Sequence, residues 1–73
     1  MSTLRVLFGQ RLRYLRRQKN ITQERLAEAI GVSVDLISNI ERGVNAPSFK
    51  TIEKLSEALN VSPKELFNFS SSE

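Results

Sequence analysis

The sequence predicts an all-α fold, a compact five-helix bundle, and three observations predict it. Apolar residues recur at three- and four-residue intervals, as in Leu4, Phe8, Leu12 and Leu15. Three segment starts each pair a serine or threonine cap with flanking apolar residues spaced to touch across it. No segment reads as a strand.

The 73 residues are enough for one small domain, which buries a modest share of its surface. With no cysteine and no histidine, disulfides and Cys/His zinc sites are excluded, and helix packing and oligomerisation remain as sources of stability. No cofactor is expected. No apolar run approaches the roughly 20 residues of a membrane span. No signal-peptide pattern is present either, so a cytoplasmic protein with no membrane partner is expected.

Helix 1 is predicted from about Leu4 to Lys19, with Ser2 or Thr3 as its cap and Asn20 in the left-handed conformation that ends it. Gly9 inside this helix costs up to about 1 kcal/mol relative to alanine, which reads as either a tight helix contact or early fraying. Helix 2 begins after Thr22, with Ile21 and Leu26 as its hydrophobic staple, and ends at Gly31. Helix 3 repeats the pattern with Ser33 as cap and Val32 and Ile37 as staple, and Gly43 ends it. A loop, Val44-Asn45-Ala46-Pro47, leads to helix 4, from about Phe49 to Leu59 behind Ser48. Its expected apolar stripe is Phe49, Ile52, Leu55 and Leu59. Helix 5 has Ser62 as cap, Pro63 in the first helical position, Val61 and Leu66 as staple and Glu65 closing a capping box. One domain is expected over residues 4–68, with 69–73 as a fraying tail in which Phe69 is oddly apolar.

Helices 2 and 3 pose a packing problem with one evident answer. Two short helices joined by a three-residue turn bring their backbones close, which requires a small residue, Ala27, and a turn residue tolerant of positive φ, Gly31. Leu26, Ile30, Val32, Ile37 and Ile40 fill the inner face, and the outer face of helix 3 is polar. This is the build of a helix-turn-helix, whose second helix lies in the DNA major groove. Charge agrees with a polyanionic partner: residues 1–25 hold seven basic residues against one acid, and residues 26–73 hold four against seven. No histidine, cysteine, glycine-rich phosphate loop or paired-carboxylate site supports an enzyme.

Over about Phe8 to Phe67 the chain resembles the Cro/repressor-type helix-turn-helix family, which includes the phage lambda and 434 repressors. The resemblance rests on Arg11–Arg16, Ile21–Ala27, Gly31-Val32-Ser33, Ile37–Gly43, Pro47-Ser48 and Leu55–Pro63. Within the family, the short length and a fifth helix with little after it are similar to the controller proteins of restriction-modification systems. The resemblance implies a lambda-repressor-like domain whose recognition helix, about 33–42, contacts bases through Val34, Asp35, Ser38 and Asn39. Asn39 suits bidentate pairing with adenine, Val34 a thymine methyl, and Asp35 either cytosine N4 or its own helix dipole. Phosphate contacts are implied for Thr22, Gln23, Arg16, Arg42 and Asn45, with Arg16 also pairing Glu41. The other helix 1 arginines are expected to supply general attraction.

One recognition helix spans too few base pairs for useful discrimination, so a homodimer on palindromic double-stranded DNA is expected. Its interface is placed on helix 5 and the end of helix 4, through Leu66, Phe67 and Phe69, with one phenylalanine in the core and the other at the interface. The function implied is a sequence-specific transcriptional regulator, a repressor by promoter occlusion or an activator through RNA polymerase. A protein-interaction module on the same fold, such as an antitoxin, is the alternative. Met1 and a full fifth helix suggest an intact small protein, while the serine-rich tail leaves a fragment of a larger repressor open.

Overall fold

A computed structural model describes residues 3–71. Among these there are five α-helices and no strand: α1 Thr3–Gln18, α2 Gln23–Ile30, α3 Val34–Glu41, α4 Phe49–Leu59 and α5 Pro63–Leu66, closed by a 3-10 turn at Phe69–Ser71. The expected Ser2 cap lies outside the described residues, as do the last two residues of the tail. Thr3 is the first residue of α1 rather than its cap.

The local stereochemistry follows the sequence. Thr22, Ser33, Ser48 and Ser62 are extended, and each side-chain oxygen accepts from the amide three residues on. Asn20, at φ 58°, and Gly31, at φ 75°, turn the chain out of α1 and α2. Open space surrounds Gly31, so its glycine is required by backbone conformation alone. The capping box at α5 forms only in its Ser62 half. The Glu65 carboxylate is drawn instead to Arg11 on α1, at 2.9 Å.

All five helices contribute to one core. Leu12, Ile37, Ile40, Leu55 and Leu66 are fully buried, with Phe8, Leu26, Ala27, Ile30 and Leu59 around them. α3 packs against both α1 and α2, and α4 closes the far side of α2. Gly9 is where α1 meets α3. A Cβ there would lie 2.3 Å from the Ile40 carbonyl oxygen and 2.7 Å from that of Glu41. The tight-contact reading of Gly9 therefore holds, and α1 does not fray there.

Two expected core residues lie outside it. Leu4 is 55% exposed and Phe49 85% exposed. Each occupies the first turn of its helix, and helical side chains lean toward the N-terminus, so a first-turn residue overhangs the end of its stripe. Phe69 makes the opposite correction. It is half-buried against the core, so the packed unit runs past residue 68 and the tail begins later than expected. No helix among the described residues is long and apolar enough to cross a membrane.

Candidate nucleic-acid interface

α3 is anchored by one face and displayed by the other. Ile37 and Ile40 sink completely into the core. On the opposite side Asp35 and Arg42 are exposed, and Ser38 and Asn39 are half-exposed. Val34 is half-buried and leans on the core, so only part of its side chain faces outward. Three of the four residues expected at the bases, Asp35, Ser38 and Asn39, thus share a polar surface with Arg42, expected at phosphate, and Val34 lies at its edge.

The carboxylate of Glu41 fixes this helix to its neighbours. It accepts from Arg16 Nε at 2.6 Å and Nη2 at 3.1 Å, and from Gln23 Nε2 at 2.9 Å. Arg16 spends its remaining reach on the Ile21 carbonyl, 2.7 Å away. One buried carboxylate therefore joins α1, the start of α2 and the end of α3. Because a carboxylate only accepts, it dictates the orientation of the Gln23 amide: nitrogen toward Glu41, with the second Nε2 hydrogen left over. The Arg25 amide is taken by Thr22 Oγ1, and the Gln23 and Glu24 amides beside it have no intrahelical acceptor, at a helix end whose dipole favours an anion.

The expected phosphate residues divide accordingly. Thr22 is exposed at the α2 cap, Gln23 is half-exposed beside it, and Asn45 is exposed in the loop after α3. Arg16 is not available in this way. It is buried and fully engaged, leaving only the pairing half of that expectation. Arg11, read as a source of general attraction, is likewise buried. Its Nε donates to the Glu65 carbonyl at 2.8 Å, and its guanidinium lies 5.4 Å from the Tyr14 ring centre. Two of the seven cations at the N-terminal end are thus neutralised inside the fold, and the polyanion footprint is correspondingly smaller.

Spacing offered signals for both unexpected links. Arg11 is three residues from Phe8 and four from Leu15, on the buried arc of α1. Asn39 and Arg42 are three apart on α3, and Arg42 Nη2 donates to Asn39 Oδ1 at 2.6 Å.

The expected interface residues separate as well. Leu66 is 0% exposed and belongs to the core, because α5 crosses α1 and α4 there. The end of α4 is also interior at Leu59. Phe67 is 40% exposed, its ring 5.1 Å from Phe8 and 6.1 Å from Phe69. The surface apolar group is instead Phe67 with Phe49, Leu4 and Pro47, which line one shallow recess. It joins the starts of α1 and α4 to the end of α5.

The fold and the displayed α3 face together define a helix-turn-helix protein. The helix-turn-helix family profile matches residues 12–66, and the chain belongs to that family, whose members are DNA-binding transcriptional regulators. The control protein C.BamHI of Bacillus amyloliquefaciens is 45% identical over 69 residues, 93% of this chain and 85% of that protein. The HTH-type transcriptional regulator YazB of Bacillus subtilis is 42% identical over 60 residues, 82% of this chain and 87% of its own. Among solved structures, the restriction-modification controller protein C.AhdI from Aeromonas hydrophila is 45% identical. It superposes with a TM-score of 0.83 over 85% of this chain and 94% of that one.

Proposed function

We propose that this regulator binds palindromic operators in the cytoplasm as a homodimer, with α3 of each subunit in the major groove. Asp35, Ser38, Asn39 and the exposed part of Val34 meet base edges. Thr22, Gln23, Arg42 and Asn45 hold phosphates. The observation that carries this reading is the Glu41 carboxylate, which locks the reading helix to the α2 start in one rigid unit. A phosphate held at Gln23 thereby fixes the register of α3 over the bases.

Dimerisation is assigned to the Phe49 and Phe67 recess, and adjacent half-sites require the two reading helices to lie ~34 Å apart. An exposed phenylalanine pair is the apolar centre that such an isologous contact requires. A dimer seated on a promoter represses by occlusion, and one seated beside it activates by touching RNA polymerase.

In vitro selection from random duplex DNA tests the proposal. Enrichment of one inverted repeat is expected. Arg42 is the cation among the phosphate contacts, so its two copies in a dimer contribute about −2 to the log–log salt slope. Failure to enrich any motif, at low and at moderate salt, would favour the interaction-module reading.

A further inference from the structure

We propose that Arg42 determines which base Asn39 reads, and that the pair selects guanine over adenine. This rests on the proposed placement of α3 in the major groove. A guanidinium has donors only, so the Asn39 atom 2.6 Å from Arg42 Nη2 has to be the amide oxygen, whichever way an unpartnered amide would turn. The bond is charge-assisted and the two residues are one helical turn apart, so it forms before DNA arrives.

The surroundings hold the pair in place. The Asn39 carbonyl accepts from the Val44 amide at 2.9 Å and the Asn45 amide at 3.2 Å, and the Arg42 amide donates to Ser38 at 3.0 Å. Glu41, the acid next to Arg42 in the chain, is committed to Arg16 and Gln23 and does not draw the guanidinium away.

The consequence is chemical. Bidentate recognition of adenine needs an acceptor for its N6 amino group and a donor for N7. The Arg42 bond takes one of the two Oδ1 lone pairs and draws electron density from the other, so Asn39 is left a better donor through Nδ2 than acceptor, and Arg42 adds its remaining N–H groups beside it. A surface rich in donors matches guanine, whose major-groove edge presents two acceptors, N7 and O6. Arg42 is thus a specificity-determining residue acting through Asn39 as well as a cation near the backbone.

Selection with three proteins tests this. The base pair read by Asn39 is the one whose preference relaxes in Asn39→Ala, and the unsubstituted protein is expected to enrich guanine there. In Arg42→Ala the amide is released, and the guanine-to-adenine ratio at that pair is expected to fall tenfold or more. Because Arg42 is exposed, a thermal melt is expected to show an intact fold. Adenine preferred at that pair by the unsubstituted protein would overturn the inference. So would an Arg42→Ala motif of unchanged base preference with merely weaker binding, which is what a simple phosphate clamp gives. If the unsubstituted protein enriches no motif, the major-groove placement itself fails, an outcome distinct from either.

Discussion

Gly9→Ala sets two physical effects against each other with opposite signs. Gly9 lies in the middle of α1, where intrinsic helix preference favours alanine by about 1 kcal/mol. The added methyl, however, would stand 2.3 Å from the Ile40 carbonyl oxygen and 2.7 Å from that of Glu41. Ordinary carbon–oxygen approach ends at roughly 3.3 Å, so α1 and the end of α3 have to separate by about 1 Å. Overpacking typically costs 1–3 kcal/mol. Here the obstacles are backbone carbonyls that cannot rotate aside, which puts the cost near ~3 kcal/mol. The net is a loss of about 2 kcal/mol from a domain whose total stability is on the order of 4–11 kcal/mol. In melting temperature that is roughly 8–16 °C. Urea denaturation followed by circular dichroism reads the difference directly, with Gln10→Ala, exposed one residue along, as a control expected to change little. The same displacement pulls Glu41 from Arg16, so DNA affinity is expected to fall beyond what the loss of folded protein explains. A Gly9→Ala protein as stable as the original, or more so, would refute the close approach of α1 and α3.

Three further outcomes follow from the same contacts. Glu41→Ala strands the buried Arg16 and is expected to cost about 3–5 kcal/mol in denaturation, with Glu41→Gln, which keeps a neutral acceptor, losing less. Leu66→Ala is expected to destabilise the monomer by about 2–5 kcal/mol, whereas Phe49→Asp is expected to preserve the fold and abolish self-association in sedimentation. Gln23→Ala is expected to weaken binding to all sequences equally and, because the lost amide carries no charge, to leave the salt slope unchanged, read by titration at several salt concentrations.

Glu41 shows how stability and recognition share residues in so small a fold. A buried ion pair is often no better for stability than a well-packed apolar replacement. This one also bonds Gln23, the residue proposed to hold phosphate, so its geometry bears on where α3 sits over DNA. An apolar substitute for Arg16 and Glu41 could fill the same space without orienting that amide.

What the sequence determined by itself is whatever a few neighbouring residues decide. Thr22, Ser33 and Ser62 cap because a short oxygen reaches an amide three residues on. Gly31 and Asn20 turn because they tolerate positive φ. Helix limits, the turn between α2 and α3, and the polar outer face of α3 were therefore readable from the chain. Which charges are spent and which apolar groups are covered was not. The place of Arg11 on the buried arc of α1 signalled burial but not its partner, which lies 54 residues away, and the pairing of Arg16 with Glu41, 25 residues on, was legible through the family resemblance alone. Leu66 and Phe67 are adjacent and equally apolar, but only Leu66 meets helices on every side. Phe49 fits its stripe by spacing and still overhangs the core. Periodicity and capping are properties of the backbone over one or two turns. Burial and pairing depend on which distant elements meet, and only the packed tertiary structure decides that.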